Sequence, residues 1–134
     1  MKNRLVSAIL DSGSQRNLVS ASMVKELGLG LEECPNPYEI SGRNKEESDP
    51  VTHMCIFKFA ITKDYIDEIT CDVVPMDCTN ILLGVPFFIA TKATIIPYLG
   101  IYEIEKEGQP FILKSVPVPR STNFLSTLKG KQVI

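Results

Sequence analysis

An aspartate stands where an apolar run near the start of the chain meets turn-forming residues. Residues 5–10 read LVSAIL, and Asp11-Ser12-Gly13-Ser14 follows directly. The run predicts a strand, and small polar residues with a glycine predict a tight turn. A carboxylate at the end of a buried strand costs free energy unless backbone and hydroxyl groups hydrogen-bond to it. The pattern predicts a loop that holds Asp11 at the edge of the core, and a strand-ending turn without chemistry is the common alternative.

A second apolar run, Ile81-Leu82-Leu83-Gly84, occurs much later in the chain. A short run that is apolar at every position predicts a strand buried on both faces. Pro86 comes shortly afterwards and favours the start of a helix, because proline fits the first helical turn. Taken alone, this run is only a buried strand that ends in a glycine.

Strand patterns dominate the remainder of the chain. The candidate segments are residues 16–20, 38–41, 51–62, 69–76, 101–104 and 111–113. One short helix is predicted over residues 21–27, with Ser20 as its N-cap and Gly28 as its stop. Residues 101–104 and 111–113 predict a hairpin around Lys106-Glu107-Gly108. The pattern therefore predicts an all-β domain with one or two short helices.

The strand pattern ends near residue 114. The segment after it contains Pro117, Pro119 and several Ser and Thr residues, which are typical of a linker. The sequence therefore predicts a domain over residues 1–114 and a C-terminal tail or linker over residues 115–134, dispensable for chemistry.

Composition excludes several classes of function. The net charge is −2 and the pI about 5.4, so no basic surface for nucleic acid is expected. No apolar run reaches the roughly 20 residues that span a bilayer, so no membrane association is expected. The four cysteines form no CxxC pair and there is one histidine, which argues against a metal site. We expect free thiols in a reducing compartment, with no cofactor.

The two motifs and their order resemble the retropepsins, the aspartic proteases of retroviruses and long-terminal-repeat retrotransposons. The matching pieces are AILDSGSQRNLVS, ASMVKELGL and CDVVPMDCTNILLGVPFF, and they are most similar to gypsy-like and Pao-like elements. The resemblance implies that Asp11 is catalytic, with Ser12 and Gly13 completing its loop. It implies that Ser14 lies near the substrate backbone, and that Leu82, Leu83 and Gly84 support the loop without doing chemistry.

The resemblance also implies a closed acid-protease barrel that works as a homodimer. Each chain would supply one aspartate, because the sequence contains one Asp-Ser-Gly. Residues 38–62 would form the flap hairpin over a bound peptide, around the polar stretch 42–50. The implied substrate is an extended peptide, such as a retrotransposon polyprotein, in the cytoplasm or in virus-like particles. Self-cleavage in the tail would fall at Asn123-Phe124-Leu125.

Two other functions compete with this interpretation. A serine hydrolase would pair Ser12 or Ser14 with His53, but the G-x-S-x-G elbow of such enzymes does not occur. A retropepsin-like domain can also act as a dimerisation or binding module without proteolysis. The intact Asp11-Ser12-Gly13 favours the protease, because a purely structural loop does not require the carboxylate. His53 is predicted either to be exposed or to line the cleft.

Overall fold

A computed structural model describes residues 5–41, 48–114 and 130–133 of the chain. Its strands are β1 Ser7–Leu10, β2 Leu18–Ser20, β3 Glu32–Ser41, β4 Ser48–Thr62, β5 Tyr65–Val74, β6 Ile81–Leu83, β7 Thr94–Ile96, β8 Ile101–Lys106, β9 Gln109–Lys114 and β10 Gly130–Val133. The helices are α1 Ala21–Leu27 and α2 Val85–Ala90, with a 3-10 turn at Pro97–Leu99. The predicted mostly-β class with short helices is confirmed.

The described strands form two sheets. The larger sheet has the order β10-β1-β6-β2-β5-β4-β3, and the smaller sheet has the order β7-β8-β9. β6 runs parallel to β1 and antiparallel to β2. β6 is distant in sequence from both strands, yet it lies between β1 and β2 in the larger sheet. The closed barrel and the dimer stay predictions.

One hydrophobic core joins both sheets and both helices. Its largest fully buried side chains are Tyr65, Leu10, Ile81, Leu83, Val19, Cys55 and Cys71, and the fully buried Val51 lies in a second, smaller cluster. Phe87 of α2 packs in the same core, as do Tyr102 of β8 and Leu113 of β9. The side chains of α2, β8 and β9 therefore pack in one core with Leu10 and Leu83, which flank the Asp-Ser-Gly loop.

The first helix has the caps that the sequence predicts. The Ser20 side chain accepts a hydrogen bond from the Met23 N–H at 3.1 Å, which satisfies one free N–H of the first turn. Gly28 ends the helix with φ +63°, a backbone conformation that a side chain disfavours. Met23 and Val24 bury the inner face of the helix. The prediction of α1 is confirmed at both ends.

The third strand is longer than the sequence predicts. Pro35 and Pro37 indicate a loop, yet β3 runs through both of them to Ser41. Its pairing with β4 shifts register between Glu33 and Tyr38, which leaves the proline segment out of the regular ladder. β3 is an edge strand, where a residue without an N–H group is tolerated. Residues 42–47, most of the predicted polar stretch, lie outside the described residues.

The tenth strand lies in the segment predicted to be a tail or linker. β10 pairs antiparallel with β1, with Gly130 opposite Leu10 and Val133 opposite Ser7. Backbone pairing at a sheet edge needs no alternation of apolar side chains, so the sequence GKQV gives no strand signal. Removal of residues 115–134 would therefore also remove an edge strand. The boundary after residue 114 stays a prediction, and the predicted cleavage segment Asn123-Phe124-Leu125 lies outside the described residues.

The strand β7 and the β8–β9 hairpin differ in whether the sequence pattern predicts them. The β8–β9 hairpin is as predicted, and its turn has positive φ at Glu107 and Gly108. The short strand β7 pairs with β8 and was not predicted.

In the described part of the chain, no helix is long and apolar enough to cross a membrane.

Candidate active site

Asp11 is the first residue after β1, at the end of a pair of parallel strands. Its N–H donates to the Leu83 carbonyl at 2.9 Å, which extends the pairing of Leu10 with Leu83. Its carboxylate oxygen Oδ1 accepts a hydrogen bond from the Gly13 N–H at 2.9 Å. Its carbonyl oxygen accepts another from the Ser14 N–H at 3.1 Å. The half-buried carboxylate is thus fixed by its own loop and by β6.

The opposite ends of β1 and β6 are joined by polar side chains. The Ser7 N–H donates to Asn80 Oδ1 at 3.1 Å. The buried Thr79 hydroxyl can donate to either of two carbonyl oxygens, that of Ser7 at 3.0 Å or that of Ile81 at 3.1 Å. These contacts fix the register of β6 beneath the strand that carries Asp11.

The loop residues after Asp11 differ in their contacts. A Cβ on Gly13 would lie 3.2 Å from Asp11 Oδ1, so the turn leaves little room for a side chain there. The Ser14 hydroxyl donates to the Arg16 carbonyl at 2.7 Å and therefore stabilises the loop itself. Ser12 is half-buried in the turn. The implied role of Ser12 in completing the catalytic loop and that of Ser14 near the substrate backbone stay predictions.

Gly84 lies where the end of β6 passes against the Asp11 loop. A Cβ on Gly84 would lie 2.5 Å from the carbonyl oxygens of both Ser14 and Arg16. The next residue, Val85, donates its N–H to the Ser14 carbonyl at 2.8 Å. Leu83 is buried in the main core, and Leu82 packs against a second apolar cluster. The structure therefore brings the Asp-Ser-Gly loop and the Leu-Leu-Gly segment into direct backbone contact.

Asn17 is a site residue that the sequence patterns did not single out. It is buried, and its side-chain oxygen accepts the Gly84 N–H at 2.8 Å. Its carbonyl oxygen accepts the Asp72 N–H at 2.9 Å. One residue thus joins the end of the Asp11 loop to the end of β6 and to β5. Its local signal in the sequence is only a polar amide directly before the short strand β2.

A cluster of polar side chains around Asp72 lies beside this loop; we define the Asp72 cluster as Arg16, Cys34, Tyr38 and Asp72. The Tyr38 hydroxyl donates to Asp72 Oδ2 at 2.5 Å, and Arg16 Nη1 donates to the same oxygen at 3.3 Å. The Arg16 guanidinium carbon lies 4.0 Å from the centre of the Tyr38 ring, within cation–π range. Cys34 Sγ lies 3.9 Å from Asp72 Oδ1. Sequence reasoning missed this cluster because its members come from three separate segments.

Burial raises the pKa of the Tyr38 hydroxyl above its ordinary value, and the hydrogen bond to Asp72 adds to the shift. The tyrosine ordinarily loses its proton only near pH 10, so the raised pKa keeps it protonated through acidic and neutral pH. The Tyr38 hydroxyl therefore keeps the proton that it donates to Asp72 over that range.

The other candidate residues do not join the Asp11 loop. His53 is half-buried on β4, and its Nδ1 lies 2.8 Å from the hydroxyl of the adjacent Thr52. All four cysteines are free thiols. Burial raises the pKa of the Cys55 and Cys71 thiols, which keeps them in the neutral form that suits core residues. Within the described ranges, no group of three or more His, Cys, Asp or Glu side chains could hold a metal ion.

The fold and the site together define the class of the protein. A mostly-β domain carries an Asp-Ser-Gly loop against a Leu-Leu-Gly strand end, which is the arrangement expected of a retropepsin-like aspartic protease domain. The PEG10/RTL1 protease domain family matches residues 7–95, more than half of the chain. The chain therefore belongs to this family of retropepsin-like domains derived from retrotransposons. Comparisons with curated proteins and with solved structures gave no match.

Proposed function

We propose that the chain is an aspartic endopeptidase that acts as a homodimer, with one Asp11 from each protomer. The observation that carries the proposal is the fixed Asp11 carboxylate, which accepts the Gly13 N–H at the end of the paired strands β1 and β6. The close passage of Gly84 under the same loop supports it, because a rigid backbone keeps a catalytic carboxylate in one place.

The mechanism follows from bringing two such carboxylates together. Two aspartates a few ångströms apart cannot both carry a charge cheaply, so the pair shares one proton over an acidic range. The charged aspartate takes a proton from water as general base while the water oxygen bonds to the scissile carbonyl carbon, and the protonated aspartate donates to the carbonyl oxygen. The C–N bond of the tetrahedral intermediate then breaks, and the leaving nitrogen takes the proton that the first aspartate received from water. The sequence contains one Asp-Ser-Gly, so the second carboxylate comes from the Asp11 of a second copy across a two-fold axis.

The proposed substrate is an extended peptide that binds as an added strand between the Asp11 loop and the β3–β4 hairpin. Such binding uses backbone hydrogen bonds for affinity and side-chain pockets for specificity. β3 and β4 pair from Tyr38 opposite Val51 to Ser41 opposite Ser48, which gives the hairpin two regular arms. Membership of a retrotransposon-derived family supports a polyprotein as the substrate. The cytoplasm or virus-like particles are the proposed place of cleavage.

A peptide-library assay tests the proposed activity. We expect cleavage of extended peptides with a bell-shaped pH dependence and a maximum at acidic pH, because one proton must be shared by two carboxylates. Pepstatin or a retroviral-type inhibitor should block the cleavage. Silence at high protein concentration across the acidic range would instead favour the non-proteolytic binding module, and an activity plateau at alkaline pH would indicate another mechanism.

Activity per chain should fall when the protein is diluted below the dimer dissociation constant. In that regime the dimer fraction is proportional to total concentration, so a tenfold dilution should lower the activity per chain about tenfold. Sedimentation measured over the same concentrations gives the dimer fraction independently. A monomer that retains its full activity per chain would contradict the shared dyad.

Mixing experiments provide the control for this dilution series. An excess of Asp11→Asn protein should suppress wild-type activity, because mixed dimers have one competent carboxylate. The exposed Asp64 lies in the turn between β4 and β5, so an equal excess of Asp64→Asn protein should not suppress activity. Equal effects of the two additions would show that suppression does not depend on Asp11.

A further inference from the structure

One arm of the β3–β4 hairpin begins at Tyr38. Its backbone pairing with β4 is short, so other contacts must help to hold it in place. β3 is an edge strand of the larger sheet, and among the described strands it pairs only with β4. Its ladder is broken between Glu33 and Tyr38, and Pro35 and Pro37 in that gap have no N–H to donate. Edge strands with few backbone hydrogen bonds open at low free-energy cost. The position of this arm therefore depends on side-chain contacts near Tyr38.

Tyr38 supplies such a contact, and its side chain extends across the neighbouring strand β4. Its hydroxyl donates to Asp72 on β5, which is separated from β3 by β4 in the sheet. An O–H···O⁻ bond of 2.5 Å is in the short range of charge-assisted hydrogen bonds. The Tyr38 ring also lies against the Arg16 guanidinium. Tyr38 is thus held by two side chains at the first residue after the break.

Asp72 and Arg16 are in turn fixed to the Asp11 loop. Asp72 pairs with Leu18 in the parallel β2–β5 ladder and donates its N–H to the Asn17 carbonyl. The Arg16 carbonyl accepts the Ser14 hydroxyl within the loop. The Asp72 side chain is largely buried, with 13% relative exposure, so water competes weakly for its hydrogen bonds. A continuous set of contacts therefore runs from the catalytic loop to the hairpin arm.

We propose that Tyr38 is a positioning residue that fixes the β3–β4 hairpin relative to the Asp11 loop through Asp72 and Arg16. The consequence for substrate rests on the proposed endopeptidase function: the held arm keeps the peptide groove formed before substrate arrives. Loss of the attachment should weaken peptide binding more than it slows the chemical step, because Tyr38 acts through Asp72 and Arg16, which have no part in the proposed proton transfers.

A second cluster, formed by Tyr65, Asp67 and Lys106, has the same chemistry as the Asp72 cluster: a tyrosine, a carboxylate and a cation. The Tyr65 hydroxyl lies 3.3 Å from Asp67 Oδ2, and Lys106 Nζ lies 3.0 Å from Asp67 Oδ1. Lys106 Nζ lies 5.8 Å from the centre of the Tyr65 ring. This cluster joins β5 to β8 and includes no residue of the Asp11 loop or of β3. Tyr65→Phe is therefore the control for Tyr38→Phe, since both remove one hydroxyl from a tyrosine–carboxylate–cation cluster.

Hydrogen exchange and steady-state kinetics on the full chain test the proposal together. Tyr38→Phe should speed amide exchange in peptides covering residues 38–41 and 48–51, relative to peptides from α1. It should raise KM about fivefold or more, as loss of a charged hydrogen bond implies, and leave kcat within about twofold. Asp72→Asn keeps an acceptor for Tyr38 and should show part of the effect, whereas Asp72→Ala should show all of it. Tyr65→Phe should produce neither the local exchange nor the KM change.

The outcomes separate this proposal from the proposed function. Unchanged exchange in the hairpin arms of Tyr38→Phe would overturn the positioning role, and so would an equal change in Tyr65→Phe. A fall in kcat at constant KM would also overturn it, because that pattern indicates an effect on the chemical step. If the wild-type protein cleaves no peptide, the endopeptidase proposal fails, and the exchange comparison alone decides whether Tyr38 holds the hairpin.

Discussion

Asp11→Asn should abolish peptide hydrolysis while leaving the fold intact. The asparagine retains a side-chain oxygen that can accept the Gly13 N–H, so the loop keeps its hydrogen bond. It cannot exchange a proton with water or substrate, and in a homodimer both catalytic groups are lost at once. We expect kcat/KM to fall about a hundredfold or more, as the loss of general acid–base catalysis implies. Initial rates on a cleaved library peptide at the optimal pH measure the loss.

Two controls distinguish a catalytic from a structural effect of this substitution. Sedimentation and thermal unfolding should give the same oligomeric state and nearly the same Tm for the wild type and for Asp11→Asn. Asp64→Asn, a change of the same kind in an exposed turn, should leave the rate unchanged. An Asp11→Asn protein that keeps more than about a tenth of the wild-type rate would contradict general acid–base catalysis by Asp11.

Gly84→Ala should destabilise the domain strongly for so small a change. The added methyl group would lie 2.5 Å from two backbone carbonyl oxygens, those of Ser14 and Arg16. Backbone atoms in a loop fixed by Asn17 and Leu83 cannot rotate away as a flexible side chain could. Overpacking of this kind costs about 3 kcal/mol, which corresponds to a fall in Tm of roughly 10 °C for a domain of this size.

Gly30→Ala is the matched control for this prediction. A Cβ on Gly30 meets no atom within 4 Å, and its backbone does not require a positive φ. Its Tm should therefore stay within a few degrees of the wild type. Because the clash at Gly84 pushes on the loop that holds Asp11, Gly84→Ala should also lower activity at temperatures where it is still folded. Equal melting temperatures for the two variants would show that the Leu-Leu-Gly segment does not pack tightly under the loop.

Local chemistry in the sequence determined several elements of the fold. Ser20 and Gly28 bound α1 because capping needs only residues adjacent to the helix. The β8–β9 hairpin follows from alternating residues on either side of Gly108, whose positive φ suits glycine. The turn after β1 follows in the same way from Asp11-Ser12-Gly13. In each case the interacting groups lie within a few residues of one another, so the pattern is visible in the chain itself.

The tertiary structure alone decided how these pieces meet. The Asn17 amide contacts the Gly84 N–H, and Tyr38 contacts Asp72, across long stretches of chain that no local period connects. β10 is likewise absent from the sequence pattern, because its pairing with β1 uses backbone groups that every residue has. The sequence by itself determined that Asp11 ends a strand in a tight turn. Only the fold decided which strand supports that turn and which side chains connect it to the hairpin, because those contacts depend on the packing of distant segments.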